Sequence, residues 1–198
     1  MAQAKVLNEK EVRQLLRYIA QRKHSGRNRA MLLCTHLAGM RIGEVASLRL
    51  CDVLNADGSI RDEMRLSAEQ TKGDRGRVVL LCKRLQDELR QYLCTRFRLN
   101  DLKAVTMTNT SRALFDTQKN PDRGFTPNTA TQLFHYIYKR SIACGSSHSG
   151  RRGFITQLAN KGTSVRVLAA LAGHQSIATT QRYIDLNPAM MRNAVEMI

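Results

Sequence analysis

The sequence has no long apolar segment and no recognisable motif for a nucleotide. No run approaches the roughly 18 apolar residues of a membrane span, and no signal-peptide pattern opens the chain. A phosphate-binding glycine loop of the nucleotide-binding type is absent as well. We therefore expect a cytosolic protein that neither crosses a membrane nor binds a nucleotide cofactor.

The cysteines are few and widely spaced. They contain no C-x-x-C pair, whereas zinc sites and disulfide frameworks need close or paired spacing. We therefore expect free, mostly buried thiols and no metal site. The residues concerned are Cys34, Cys51, Cys82, Cys94 and Cys144.

Acidic residues are scarce relative to basic ones. The 198 residues include 32 Lys and Arg against 16 Asp and Glu, a formal net charge of +16. Such an excess favours a polyanionic partner, above all nucleic acid, although a basic surface without a partner is the plain alternative. The length favours one domain over residues 1–198, with two domains as the alternative.

The first helices lead to a glycine-flanked arginine. Asn8 and Glu11 have the spacing of a capping box and open the first helix. A second helix is predicted over residues 26–37 and a third from near Gly43, so Arg41 lies in the junction between them. Glycines on both sides let the backbone approach a ligand closely, and Glu44 can orient the guanidinium. The alternative is a surface arginine that caps a helix or forms a salt bridge.

A hairpin and two amphipathic helices are predicted next. Residues 59–66 and 77–81 read as two short strands around a polar loop that carries Lys72. Residues 85–99 form an amphipathic helix with Arg84, Arg90 and Arg96 outward, and Thr126 caps a helix that runs to about Arg140. The fold class is therefore mainly α with a small β-hairpin.

The last fifty residues hold the most informative pattern. Arg151, three residues after His148, falls on the apolar stripe of a helix, so it needs a carboxylate, a cluster of carbonyls or a bound anion. Gly162 ends this helix, and a second one over residues 164–172 stops at Gly173, just before His174. Tyr183 follows nine residues later. Alone, each of these histidines or the tyrosine would be read as a cap or a packing residue.

Together these motifs resemble the C-terminal signature of the tyrosine recombinases, the phage integrase family. The signature is H-x-x-R, then L-x-G-H, then a tyrosine nine residues after that histidine. An upstream G-x-R-x-x-E-x-x-x-L matches G-M-R-I-G-E-V-A-S-L around Arg41. The resemblance runs from about Leu7 to Ile198. It implies the catalytic-domain fold of this family, as in short single-domain members such as the fimbrial-switch recombinases, without the N-terminal core-binding domain that usually precedes it.

The resemblance also implies an activity: site-specific cutting and rejoining of double-stranded DNA through a 3′-phosphotyrosyl intermediate, without metal, ATP or another cofactor. Arg41 and Arg151 would hold the non-bridging phosphate oxygens, and Tyr183 would be the nucleophile. We expect His148 to act as base and His174 as hydrogen-bond donor. Lys72, on the mobile hairpin loop of the family, would protonate the leaving 5′ oxygen.

Further contacts follow from the same resemblance. Lys139 and Arg140, at the end of a helix that touches DNA in the family, would meet phosphates, and Arg152 is a third candidate DNA contact. The C-terminal helix would pass to the next subunit of a DNA-bound tetramer, or else dock on its own domain. Its apolar face comprises Met191, Ala194, Val195 and Ile198.

The sequence departs from the family pattern at two neighbouring positions. Arg152 stands where a histidine is common, and Gly150 where a bulky apolar residue is usual. We expect both to weaken helix packing, since glycine costs about 1 kcal/mol inside a helix. Two other functions remain open: a DNA-binding regulator without chemistry, and type IB topoisomerase-like relaxation. In either enzymatic case, a nucleoid-associated location is expected.

Overall fold

The structure is mainly helical with one small β-hairpin. This computed structural model describes residues 4–71, 75–108, 110–117, 123–141, 145–184, 191–192 and 195–196. None of the helices in these ranges combines the length and apolar character needed to cross a bilayer. The predicted fold class is confirmed.

The described elements follow one another along the chain with short connections. The helices are α1 (Glu9–Ala20), α2 (Ser25–Leu37), α3 (Ile42–Ser47), α4 (Leu50–Val53), α5 (Lys83–Phe97), α6 (Lys103–Thr106), α7 (Pro127–Arg140), α8 (Ser149–Asn160), α9 (Val165–Ala172) and α10 (Ile177–Gln181). The strands β1 (Glu63–Leu66) and β2 (Arg77–Leu80) lie between α4 and α5.

Helix α2 lies at the centre of the molecule. Its residues from Ala30 to Cys34 are all buried, and five consecutive residues cover every face of a helix. Apolar residues of α1, α3, α5, α7 and the hairpin join it in one large core that extends from Leu7 to Tyr138. The capping box of Asn8 and Glu11 opens α1 as predicted.

The hairpin is antiparallel, with Leu66 opposite Arg77 and Glu63 opposite Leu80. Side chains alternate along β2, so Val79 is buried while Val78 and Leu80 face solvent. The same alternation turns Arg77 toward the protein interior. The loop residues 72–74, which include Lys72, lie outside the described residues.

A second, much smaller apolar cluster joins α8 and α9. Its buried members are Ile155, Ala159, Leu168 and Ala172. Partly buried Tyr183 and Ile184 pack against it. The helix boundaries are those predicted: Ser164 caps α9, and Gly173 ends it in the left-handed conformation at φ 63°.

Gly150 improves helix packing, contrary to our expectation. A Cβ atom at this position would lie 2.1 Å from Thr35 Oγ1 and 2.9 Å from a ring carbon of His36. Real Cβ atoms do not approach so closely, so the absence of a side chain is what lets α8 lie directly against α2. The predicted weakening at Gly150 is therefore wrong.

Two predictions about side-chain exposure are also wrong. The Arg96 side chain points inward and is only 8% exposed, because its Nη1 atom donates hydrogen bonds to the carbonyl oxygens of Ala113 and Leu114. Of the four described cysteines, all free, only Cys34 is buried, whereas Cys51 and Cys82 are exposed. Cys144 lies outside the described residues.

Candidate active site

Arg41 lies at the N-terminal end of α3 and is held there by Glu44. The Arg41 Nη1 atom donates to Glu44 Oε1 at 2.8 Å, and its backbone N–H donates to Oε2 at 2.8 Å. The carboxylate is 1% exposed, while the guanidinium remains 28% exposed. Glu44 therefore orients Arg41 as predicted and leaves part of it open to a ligand.

Arg151 points inward from α8, as its position on the apolar stripe predicted, and is 4% exposed. Its Nη1 donates to the Gly39 carbonyl oxygen at 2.7 Å, and its Nη2 donates to that of Ala172. Burial and the like charge of Arg41 lower the pKa of Arg151 to about 9. Arg151 thus still carries its charge at neutral pH, and its printed partners are carbonyl groups, which offset a charge only in part.

Three consecutive carbonyl groups at the end of α9 each accept from a different arginine. Leu171 O accepts from Arg77 at 3.0 Å, Ala172 O from Arg151, and Gly173 O from Arg41 at 3.4 Å. The last carbonyls of a helix have no intrahelical partner and form the negative end of its dipole. This helix end therefore assembles three guanidinium groups from separate parts of the chain.

Arg77 is the member of this group that our sequence analysis missed. Its Nη2 donates to Glu44 Oε2 at 2.7 Å and its Nε to Oε1 at 3.1 Å. Burial alone would raise the pKa of Glu44, but the hydrogen bonds and charges of Arg77 and Arg41 outweigh it and lower that pKa below its ordinary value. The cluster therefore holds three cations and one carboxylate.

His174 follows Gly173 directly and stacks on Tyr183. The two ring centroids are 5.6 Å apart with 24° between the planes. The His174 Nδ1 atom lies 2.8 Å from the hydroxyl oxygen of Thr180, which is fully buried. Burial lowers the pKa of His174 to about 4, and the charges of Arg151, Arg41 and Arg77 act in the same direction. The imidazole is therefore neutral at neutral pH.

The Tyr183 ring has a second cationic neighbour. The Arg152 guanidinium carbon lies 6.0 Å from the ring centroid, and Arg152 is only 7% exposed. The Thr156 hydroxyl donates to the Tyr183 carbonyl oxygen at 3.1 Å, which fixes the backbone there to α8. Arg152 therefore lies behind the tyrosine with little surface left for DNA, unlike our prediction of a DNA contact.

The remaining predicted residues lie at the surface. His148 is exposed at the N-terminal end of α8, one helical turn before Arg151. Lys139 and Arg140 are exposed in the last turn of α7, where the Arg140 guanidinium lies 4.6 Å from the centroid of the Tyr136 ring. Within the described part of the chain, no group of three or more His, Cys, Asp or Glu residues could hold a metal ion.

Both missed residues had a signal in the sequence. Arg77 shares the inward face of β2 with Val79, so strand alternation places it on the buried side, as helical spacing did for Arg151. Thr180 precedes Tyr183 by three residues, and nothing in its local pattern distinguishes it from exposed Thr179. Its role depends on His174, which is brought near by the turn between α9 and α10.

The fold has close relatives among solved structures. A crystal structure of XerA recombinase aligns with all of this chain and 66% of that protein, at a TM-score of 0.72 and 22% identity. The Tn1549 transposon integrase, solved in complex with transposon right end DNA, aligns with 98% of the chain at a TM-score of 0.69 and 17% identity. These similarities show that the chain has the tyrosine recombinase catalytic-domain fold.

Sequence similarity leads to the same group of proteins. The chain is 29% identical over 192 residues to tyrosine recombinase XerA of Thermococcus kodakarensis, an alignment that covers 97% of this chain and 62% of that relative. The chain thus spans less than two thirds of the relative's length. The sequence model described as the Phage integrase family matches residues 5–190. The chain therefore belongs to the phage integrase family.

Proposed function

We propose that this chain is the catalytic part of a site-specific recombinase, which cuts and rejoins double-stranded DNA through a bond between Tyr183 and a 3′ phosphate. The observation that carries the proposal is the gathering of Arg41 and Arg151 at the helix end that leads into the His174–Tyr183 stack. A net charge of +16 suits a polyanionic substrate. The XerA relative is a named tyrosine recombinase, and the Tn1549 integrase was solved with DNA.

The arginines suit a phosphodiester. Its anionic oxygens repel a nucleophile, and charge on them grows in the transition state. Arg41 and Arg151 are permanently charged planar donors, and with Arg77 they exceed the single negative charge of Glu44. The excess charge is preformed and partly shielded from water, where it acts more strongly than in solution. We assign the two non-bridging oxygens to Arg41 and Arg151.

The reaction itself is a transesterification. The Tyr183 oxygen attacks phosphorus, its proton passes to His148, and the bond from phosphorus to the 5′ oxygen breaks. The departing 5′ oxygen takes a proton from Lys72 and becomes a hydroxyl group. Rejoining is the reverse: a 5′ hydroxyl displaces Tyr183. Because one phosphate ester replaces another, no high-energy cofactor is consumed.

We assign a donor role to His174. At neutral pH its imidazole is uncharged, so one ring nitrogen carries a proton and the other can accept. Nδ1 lies next to the Thr180 hydroxyl, which leaves Nε2 available for a non-bridging oxygen. A neutral donor also avoids a fourth positive charge beside the three arginines.

Covalent trapping tests this function. Duplexes selected from a randomised library by binding to the protein, and then nicked so that the cut strand is lost, should yield an adduct that survives denaturation. The variant Tyr183→Phe should abolish the adduct while retaining DNA binding, since it lacks only the hydroxyl. Tyr136→Phe, at an exposed tyrosine of α7, is the control and should react normally.

The alternatives give different results in the same assay. Binding without an adduct would support a DNA-binding regulator. An adduct combined with relaxation of supercoiled plasmid, but no exchange between two copies of the selected site, would support a topoisomerase. An adduct that persists in Tyr183→Phe would move the nucleophile to another residue and overturn the assignment.

We also propose that the C-terminal segment joins subunits on DNA. Met191 and Val195 are spaced four residues apart and are 55% and 69% exposed, and the Glu196 N–H donates to Arg192 O as in a helical turn. Ala194 and Ile198 lie outside the described residues. Removing the residues after Asn187 should leave binding of a single site intact and abolish pairing of two sites. Unchanged pairing in gel-shift experiments would instead favour docking on the same chain.

DNA contacts outside the site are assigned to the end of α7. Lys139 and Arg140 are both exposed there, in the last turn of the helix. Replacing both with Gln should weaken binding to selected and random duplexes alike and reduce the salt dependence of binding, since phosphate contacts carry no sequence information. Loss of binding to the selected duplex alone would contradict this assignment.

A further inference from the structure

We propose that Arg77 is a positioning residue for DNA cleavage, and this inference rests on the proposed function. Its guanidinium fixes the Glu44 carboxylate and the end of α9, and thereby directs Arg41 at the scissile phosphate. Every nitrogen of the Arg77 guanidinium donates to a protein oxygen, and the side chain is 9% exposed. Arg77 therefore acts through its neighbours and is not itself a phosphate ligand.

Glu44 needs two arginines to stay in place. Its Oε1 accepts from Arg77 Nε and Arg41 Nη1, and its Oε2 accepts from Arg77 Nη2 and the Arg41 backbone. Without Arg77, this buried carboxylate would keep Arg41 as its sole partner among these groups. The Arg41 guanidinium would then turn toward Glu44 for a two-point pair, which is the stronger geometry, and away from the phosphate.

Arg77 also fixes the helix end that carries His174. Its Nη1 donates to Leu171 O at 3.0 Å, beside the carbonyls that hold Arg151 and Arg41. A Cβ atom at Gly173 would lie 2.5 Å from Arg77 Cδ, and Gly173 has a φ of 63°. The stem of Arg77 thus fills the space that this glycine leaves open. The contact joins the hairpin, α3 and α9 at one point.

Arg77 has two possible routes of influence, and they predict different chemistry. One runs through Glu44 to Arg41, which neutralises the non-bridging oxygens. The other runs along β2 to the loop that carries Lys72, five residues earlier, which protonates the 5′ oxygen. The contacts favour the first route because they are direct hydrogen bonds to the carboxylate that holds Arg41.

Modified phosphates distinguish the two routes. A methylphosphonate at the cleavage position replaces one anionic oxygen with a methyl group, so it needs less positive charge from Arg41. A sulfur atom in place of the bridging 5′ oxygen leaves without protonation, so it needs no Lys72. Adduct formation is measured under single-turnover conditions on the selected nicked duplex with each phosphate, relative to the parent protein on the same substrate.

The variants are Arg77→Met and Arg77→Lys. Arg77→Met should slow adduct formation on ordinary DNA on the order of 100-fold, the scale expected for an ångström-sized misplacement of a catalytic group. Most of that deficit should disappear on the methylphosphonate and persist on the sulfur-bridged DNA. Arg77→Lys keeps the charge without the fork, so it should show the same pattern with a smaller deficit, and it serves if Arg77→Met does not fold.

The control is Arg29→Met. Arg29 joins α2 to Glu88 of α5 through the same two nitrogens, Nε and Nη2, outside the arginine cluster. It should lower thermal stability as much as Arg77→Met does, yet react at the parent rate on all three substrates. DNA binding should be near that of the parent for both variants, because neither residue is a proposed phosphate ligand.

Four results would overturn the proposal. An equal deficit on all three substrates would give Arg77 a merely structural role, and relief by the bridging sulfur alone would assign it to the Lys72 loop. Parent-like rates in Arg77→Met, or an equal deficit in Arg29→Met, would also refute it. Absence of any adduct in the parent protein would be a separate failure, that of the proposed function itself.

Discussion

The two apolar clusters of the molecule differ in size, and the candidate site is divided between them. The large core, from Leu7 to Tyr138, supports Arg41, Glu44 and Arg77. The small cluster has four buried residues in α8 and α9, and Tyr183 packs directly on it. The part that would hold the phosphate thus has an extensive foundation, whereas the nucleophile rests on a small one.

This difference indicates which part of the site can move. A small cluster with partly exposed neighbours opens at lower free energy than a large core does. Tyr183 can therefore be displaced or repositioned without unfolding the scaffold that holds the arginines. Arg151 spans both regions, since it projects from α8 and donates to Gly39 O and Ala172 O.

The largest expected effect comes from removing one leucine in each region. Leu89 and Leu168 are both fully buried. Leu89→Ala should lower the free energy of unfolding by about 4 kcal/mol because a large core cannot close the cavity, and Leu168→Ala by about 2 kcal/mol because its partly exposed neighbours can. Chemical denaturation measures both values.

Adduct formation should show the opposite order. At a temperature where both variants are folded, Leu168→Ala should react more slowly than the parent on the order of tenfold, because α9 carries the carbonyls that hold the arginines. Leu89→Ala should stay near the parent rate. If Leu89→Ala slowed the reaction more, the separation of the site into a firm and a movable part would be wrong.

Much of the fold was predictable because its signals are local. The capping pairs of Asn8 with Glu11 and of Thr126 with Thr129 lie three residues apart, so they can be read without knowing the tertiary structure. The inward position of Arg151 followed from helical periodicity in the same way.

Contacts between distant residues were not predictable on that basis. Arg77 pairs with a carboxylate 33 residues away and a carbonyl 94 residues away, and the partner carbonyls of Arg96 lie 17 and 18 residues away. No nearby residue marks such partners. The cost assigned to Gly150 failed for the same reason, since Thr35 lies on another helix.

The second prediction concerns the pH dependence of the large core. Burial lowers the pKa of His36 from 6.5 to about 4, so the unfolded chain binds its proton more tightly than the folded one. Stability should therefore fall as the pH drops from about 6.5 to about 4, by about 3 kcal/mol in total from this residue. His36→Gln should remove that part of the loss.

The measurement is the unfolding free energy of parent and His36→Gln between pH 7 and pH 4. His174 contributes in the same direction in both proteins, so the difference between them isolates His36. Parallel curves would show that His36 is protonated in the folded protein, in contradiction to its burial in the large core.

The third prediction concerns the contact between the two regions. Gly150→Ala should destabilise the protein by about 2 kcal/mol, because the added methyl group would overlap Thr35 and push α8 away from α2. Gly153→Ala, one turn along the same helix, is the control. A Cβ atom there meets nothing within 4 Å, so alanine should stabilise by up to about 1 kcal/mol. Similar melting temperatures for both variants would contradict the close approach at Gly150.

The smallest expected effect concerns Thr180, which orients His174 within the small cluster. We expect its hydroxyl to donate to Nδ1 at 2.8 Å, so that Nε2 carries the proton and faces the phosphate. Thr180→Val keeps the shape and removes the hydroxyl. The loss of one hydrogen bond, about 1 kcal/mol, should slow adduct formation by about fivefold and change stability little.

Thr179→Val is the matched control, because Thr179 is the exposed neighbour of buried Thr180. Nitrogen NMR of the imidazole should show the proton on Nε2 of His174 in the parent and in Thr179→Val, and a mixture of tautomers in Thr180→Val. If Thr180→Val kept the parent tautomer yet reacted slowly, the hydroxyl would act on packing alone. If it kept both the tautomer and the rate, the stacked pair of His174 and Tyr183 would be oriented by the α9 helix end without help from α10.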